Sequence, residues 1–160
     1  MTRILALSDT HGDTGSIRDA MPLIRAIDPQ IIYHLGDFTL DAAALRALTD
    51  IPVYAVRGNC DGSSTEPLVR EETIDGVRIL VTHGHACQVK SGTEMLLNAA
   101  KSSQCAAALY GHTHWAQIER EDGILLVNPG SLSRPRGRAE GTMALLMIED
   151  GRIDATLLKP

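Results

Sequence analysis

The sequence predicts an α/β fold in which mixed sheets pack together with helices on the outside. Three observations carry that expectation. Short apolar runs of strand length recur from one end of the chain to the other. Segments with helical apolar spacing separate the early runs. Later, Asp-Gly dipeptides separate apolar runs, a strong hairpin signal.

The predicted strands are Ile4–Leu7, Ile31–Tyr33, Val53–Val56, Ile79–Val81, Ala106–Leu109, Ile124–Val127 and Met143–Ile148. Several are apolar throughout, as in sheets covered on both faces. Ser16 to Ile27 sets Ile17, Ala20, Met21, Ile24 and Ile27 at helical spacing, with Ser16 as the expected N-cap. Asp41 to Leu48 forms a shorter second helix, stopped before Pro52, and Thr93 to Lys101 a third. The dipeptides Asp75-Gly76, Asp122-Gly123 and Asp150-Gly151 mark hairpins in the second half. A βαβαβ stretch therefore comes first and hairpins follow.

The 160 residues suit one domain, 1–160, and fall short of the roughly 250 that a (β/α)₈ barrel needs. Hydrophobic residues make up 44% and charged residues 22%, which excludes disorder, collagen and coiled coil. The net charge of -5 provides no basic face for a nucleic-acid polymer, beyond the small cluster Arg134, Arg136 and Arg138. The five aromatic residues are too scattered for base stacking. Cys60, Cys87 and Cys105 are odd in number and make no CxxC pair, which fits a reducing compartment. Ile4–Leu7 is shorter than the about 7–15 apolar residues of a signal peptide, and no run approaches the roughly 20 of a membrane span. A soluble cytoplasmic protein is the expectation.

Six strands end in polar residues flanked by glycine. Ile4–Ser8 leads into Asp9-Thr10-His11-Gly12, Ile31–Leu35 into Gly36-Asp37, and Val53–Val56 into Arg57-Gly58-Asn59. Ile79–Thr82 leads into His83-Gly84-His85, Ala106–Tyr110 into Gly111-His112-Thr113-His114, and Ile124–Val127 into Asn128-Pro129-Gly130-Ser131. The C-terminal edge of an α/β sheet is where ligands bind. Asp9, His11, Asp37, Asn59, His83, His112 and His114 offer oxygen and imidazole nitrogen without thiolate, a set that suits Mn²⁺, Fe or Zn²⁺. Seven ligands are too many for one small ion and about right for two. Asp37, between the ligands of the first and third strands, is the natural bridge.

The bland alternatives weigh differently at each position. A lone histidine at a strand end is usually a satisfied polar residue, and His34 is read so, as a buttress behind the site. Asp75-Gly76 is only a turn. Five of six histidines inside glycine-flanked strand-end motifs is a much rarer accident. The HxHxDH run of metallo-β-lactamase-like hydrolases is absent, and the amidohydrolase barrel does not fit the length.

The ordered series Asp9-Thr10-His11, Gly36-Asp37, Gly58-Asn59, His83-Gly84 and Gly111-His112-Thr113-His114 resembles the calcineurin-like metallophosphoesterase superfamily. With Asn128-Pro129-Gly130-Ser131 and Pro135-Arg136 it is similar to the compact prokaryotic phosphodiesterase branch. The resemblance implies a four-layer α/β/β/α sandwich of two mixed sheets and a dinuclear metal site. One ion would take Asp9, His11, Asp37 and His114, the other Asp37, Asn59, His83 and His112. Mn²⁺ is the first expectation for both, with Fe, Zn or Ni as alternatives.

The implied activity is hydrolysis of small phosphodiesters by a metal-bridging hydroxide. His34, His85, Asn128 and the backbone around Gly130 would orient ligands or phosphate oxygens, and Arg57 or Arg136 would pair with phosphate unless each is a solvated surface charge. One departure stands out. Much of the superfamily has histidine as general acid after the Gly-Asn pair, where this chain has Cys60. His85, two residues after His83, is the expected stand-in, which makes Asp37, Asn59 and His85 the catalytic candidates. The expected partner is a small phosphodiester, not a nucleic-acid polymer or a membrane, and relatives often form homo-oligomers. Two other functions stay open here: a binding scaffold that keeps the fold, as the small subunit of retromer does, and a phosphomonoesterase or nucleotidase.

Overall fold

The computed structural model describes residues 1–160. Its first sheet contains β1 (Thr2–Leu7), β2 (Ile31–His34), β3 (Val53–Ala55), β9 (Met143–Glu149) and β10 (Arg152–Leu158), in the order β10-β9-β1-β2-β3. The second contains β4 (Val69–Ile74), β5 (Val77–Thr82), β6 (Ala107–Leu109), β7 (Gln117–Glu121) and β8 (Ile124–Asn128), in the order β4-β5-β6-β8-β7. Both sheets are mixed. In the first, β1, β2 and β3 run parallel. In the second, β5, β6 and β8 run parallel, with β4 and β7 antiparallel at the two edges.

Alternation along the strands builds the layers. Ile4 and Ala6 of β1 face the second sheet and join an inter-sheet core of 16 buried residues with Ile79, Val81, Leu109 and Val127. Leu5 and Leu7 face the other way, into a core of 13 residues against α1 (Thr14–Ile27) and α2 (Thr39–Arg46). On the far side, α3 (Glu94–Ser102) covers the second sheet through Leu96, Leu97 and Ala100, against Leu80, Ala108 and Leu126. The order is helix, sheet, sheet, helix, as the resemblance implied.

Differences from the sequence expectation are local. The first helix begins at Thr14, and Asp13 rather than Ser16 is its N-cap. The Asp13 carboxylate accepts from the Ser16 N–H at 3.1 Å, while the Ser16 hydroxyl donates back to the Asp13 carbonyl at 2.8 Å. The carboxylate sits three residues ahead of the N–H it caps, the N-cap to N3 spacing. The second helix starts two residues early, at Thr39, and ends at Arg46. Each Asp-Gly pair closes a two-residue hairpin, joining β4 to β5, β7 to β8 and β9 to β10, with positive φ at both residues, as type I′ turns require.

Ile4 is fully buried between two hydrogen-bonded neighbours, β2 and β9. Ile4→Ala should lower the unfolding free energy by about 2–5 kcal/mol, which urea denaturation will read.

Candidate metal centre

The six parallel strands bring their C-terminal ends to one edge of the sandwich, and the chain then turns sharply. Five of the seven candidate ligands sit in the left-handed region: Asp9 (φ 55°), His11 (48°), Asp37 (56°), His112 (70°) and His114 (60°). Side chains other than glycine seldom adopt that conformation, and such strain collects at functional sites. The turns also need glycine for space. A Cβ on Gly58 would run into the Asp37 carboxylate, and one on Gly111 would strike the Ser8 hydroxyl and stand 2.7 Å from Asp9 Oδ2.

Two groups of ligand atoms result. Those of Asp9, His11, Asp37 and His114 lie within 4.8 Å of one another, and so do those of Asp37, His83 and His112. Asp37 belongs to both and divides its oxygens between them. Its Oδ2 is 3.7 Å from His11 Nε2, and its Oδ1 is 3.4 Å from His83 Nε2. Asn59 Oδ1 adjoins the second group, 3.2 Å from His83 Nε2. His85 stands apart from both groups, its ring centre 5.4 Å from that of His83.

The surroundings fit a divalent cation. His83 Nδ1 is 2.7 Å from the Leu35 carbonyl and His114 Nδ1 is 2.9 Å from that of Arg134. A carbonyl can only accept, so each Nδ1 carries the proton and each Nε2 keeps a lone pair directed inward. The Asp9 carboxylate is wholly buried. Its Oδ2 accepts from the Ser8 hydroxyl at 2.6 Å and the His112 N–H at 3.0 Å, but Oδ1 has no hydrogen-bond partner. An unpaired buried carboxylate oxygen is costly. A cation among these nitrogens and oxygens would remove that cost.

Electrostatics point the same way. Burial opposes the charged form of Asp37, but its hydrogen bond to His83 and the charge on that ring hold the carboxyl well below its usual range. Burial likewise opposes a proton on His83, yet Asp37 and Asp9 together raise its pKa. Burial lowers His112 to about 4, helped by the neighbouring His83 charge.

Several supporting residues escaped the sequence reading. Asp61 is the most connected of them. Its Oδ2 accepts from the backbone N–H groups of Asp37 (2.9 Å) and Gly58 (2.8 Å), and its Oδ1 from those of Phe38 and Thr39 (both 2.9 Å). Asp41 accepts from the Gly12 N–H at 2.8 Å. The hydroxyls of Ser131 and Ser133 hold the Asp9 carbonyl at 2.7 and 3.2 Å. Acidic and hydroxyl side chains beside a glycine turn were the available signal, but only the folded geometry shows which backbone groups they meet.

Other candidates fall as follows. Asn128 donates to the Gly111 carbonyl and the Thr113 hydroxyl, both at 3.0 Å, and accepts from the Gly130 N–H. His34 is fully buried and lies behind the site; its Nε2 donates to the Thr10 hydroxyl at 2.9 Å and its Nδ1 accepts from the Gly36 N–H. Arg57 is half-buried and its charge acts on His85, whereas Arg136 is exposed. Arg134, whose charge reaches His11, lies nearer the ligands than its place in a basic run suggested.

The comparison with known proteins settles the family. The calcineurin-like phosphoesterase superfamily domain matches residues 2–151. The chain belongs to that superfamily. It is 33% identical over 157 residues to a probable metallophosphoesterase of Mycoplasma pneumoniae, covering 96% of this chain and 94% of the relative. It is 29% identical over 144 residues to a phosphodiesterase of Methanocaldococcus jannaschii, covering 80% of this chain and 82% of that protein. A predicted phosphoesterase from Streptococcus pneumoniae has the same fold, with a TM-score of 0.81, 27% identity, and coverage of 99% of this chain and 89% of that one. By class the protein is a metal-dependent phosphoester hydrolase with candidate ligand groups for divalent cations.

Burial holds the His34 pKa down at about 4, against 6.5 for a free imidazole. Neutral His34 therefore contributes stability above pH about 6.5 that is lost as pH falls toward 4. Between pH 7 and 4.5, chelator-stripped wild type should lose about 2–3 kcal/mol more than His34→Gln over the same range, measured by urea unfolding.

Proposed function

We propose that residues 1–160 form one catalytic domain that hydrolyses small phosphodiesters with two divalent cations. The observation that carries this reading is the divided Asp37 carboxylate, with one oxygen turned to each ligand group. One cation would be held by Asp9, His11, Asp37 and His114, the other by Asp37, Asn59, His83 and His112. Mn²⁺ is proposed first, and Fe, Zn²⁺ and Ni²⁺ suit the same donors. When bound, such a pair supplies Lewis-acid activation of water and charge neutralisation on phosphate.

The chain's own groups do the rest. Asp9 and Asp37 give the site the negative charge that recruits cations. The carbonyls of Leu35 and Arg134 keep His83 and His114 in the tautomer that donates inward. Asn128 fixes the turn that carries His112 and His114 by holding the Gly111 carbonyl. The charges of Arg57, Arg134 and Lys90 act on His85, His11 and His112 respectively, and would favour an anionic phosphoester at the site. Cys60 is a poor proton donor, because burial and the nearby Asp37 raise its thiol pKa. His85 takes that role for the departing oxygen: its ring lies beside His83 and His112, and its Nδ1 is buried without a partner. No helix of the structure is long and apolar enough to cross a membrane. All three cysteines are free, which supports work in the reducing cytoplasm.

Chelator-stripped protein should regain turnover of bis(p-nitrophenyl) phosphate only when Mn²⁺ or a related divalent ion is added. Asp37→Ala should bring that turnover to background and lower the metal content after dialysis below that of wild type, read by plasma emission spectrometry. His85→Ala should slow a diester with an alkyl leaving group by about 10²-fold or more. Its effect on nitrophenolate departure should be much smaller, because that leaving group needs little protonation. Equal effects on both would remove His85 from the mechanism.

A further inference from the structure

Beside the ligand groups the surface opens into a cavity of about 260 Å³. Its wall includes Phe38, Leu40, Cys60, Ser63 and Ser64. Phe38 follows Asp37, and Cys60 follows Asn59, so the cavity begins where both candidate ligand loops end. The Cys60 N–H donates to Asp37 Oδ1 at 3.1 Å. On the other side the Phe38 ring lies over Gly12, next to His11; a Cβ at Gly12 would stand 3.3 Å from Phe38 Cε1.

Phe38 is unusual in two ways. It is 39% exposed, and its φ of 79° puts a bulky side chain in the left-handed region. A strained, exposed aromatic ring calls for a purpose beyond packing. The strain is held by Asp61, which accepts the N–H groups of Phe38 and Thr39 with one oxygen. Leu40, at the start of α2, is 74% exposed on the same wall.

We propose that this cavity receives the organic substituent of the phosphoester, and that the substituent is a flat, uncharged ring. The inference rests on the phosphodiesterase reading and names its substrate class. No lysine, arginine or histidine lines the cavity, and its one carboxylate, Asp61, is already matched to four backbone N–H groups. A second phosphate would find no cation there, and an ammonium group no free anion. The cavity's volume is too small for a polymer. An apolar cavity of about 150 Å³ holds one benzene, so this one takes a single ring with small substituents. Phe38 and the Cys60 sulfur supply the contacts that rings favour, and the Ser63 hydroxyl offers a polar edge. An aryl group and a nucleobase share this chemistry. A larger groove of about 500 Å³ lies among Met1, Met147, Glu149 and Arg152, at the opposite end of β1, and cannot serve the same phosphorus.

The test compares methyl phenyl phosphate and dimethyl phosphate as competitive inhibitors of bis(p-nitrophenyl) phosphate turnover by the Mn²⁺-loaded protein. The ring-bearing diester should bind about tenfold more tightly, and Phe38→Asn, whose side chain tolerates the left-handed backbone, should erase the difference. Equal inhibition in wild type, or a preference that survives Phe38→Asn, overturns the proposal. Saturation-transfer NMR with phenol and with uridine on chelator-stripped protein is independent of turnover. Transfer to phenol alone marks an aryl site, and transfer to uridine a nucleobase site; both should vanish in Phe38→Asn. Transfer to neither ring overturns the proposal. Ring binding without turnover under any metal would instead keep the cavity and sink the phosphodiesterase reading.

Discussion

Two carboxylates, Asp9 and Asp37, are buried at the seam where the sheets meet, and much of the site answers to that fact. Both belong to the first sheet, while His83 and His112, which face them, come from the second. Their negative charge is tolerable only if many donors converge on it. The Ser8 hydroxyl and the His112 N–H hold one oxygen of Asp9, and the Cys60 N–H holds one of Asp37. The remaining lone pairs are left for a cation. Hydrogen bonds such as His112 N–H to Asp9 and His83 to the Leu35 carbonyl cross from sheet to sheet, so the site is also a clasp between the layers.

The left-handed turns at five candidate ligands cost conformational energy that the loops cannot recover alone. The inter-sheet core does this for them. Its 16 buried residues set the strand ends in register, and each turn begins from a strand that cannot shift. Tyr33, Leu35 and Val56 lie in that core just ahead of the ligand loops. Packing energy is thereby spent on positioning, and the ligands inherit the rigidity of the layers.

Much of this was legible in the sequence, and what was not has physical reasons. The seven apolar runs are the strands with a buried face, and the glycine-flanked polar residues after six of them mark the parallel strands. The strands that no apolar run announced are β4, β7 and β10, all at sheet edges, where one face meets water and the composition turns polar. Only their Asp-Gly turns betrayed them. The ligand residue types were visible because several glycine-flanked strand ends carried histidine or aspartate together, and the resemblance implied their grouping around a shared Asp37; the way its two oxygens divide between the groups was not legible, since it depends on how two sheets pack. Asp61 was hidden for a different reason. Its partners are backbone N–H groups, which leave no trace in residue identity. Phe38 looked like one more scattered aromatic, because positive φ at a bulky side chain has no sequence signature.

The single carboxylate of Asp61 grips Gly58, Asp37, Phe38 and Thr39 at once. The loop that bears the shared ligand and the loop that follows β3 therefore form one mechanical piece. Selectivity in such a piece cannot drift by bending either loop, because the same displacement would misplace Asp37. Anyone wishing to redesign what the protein accepts has to leave the backbone alone and exchange side chains along the cavity wall, with Leu40, Ser63 and Ser64 as the interchangeable parts and Asp61 as the rivet.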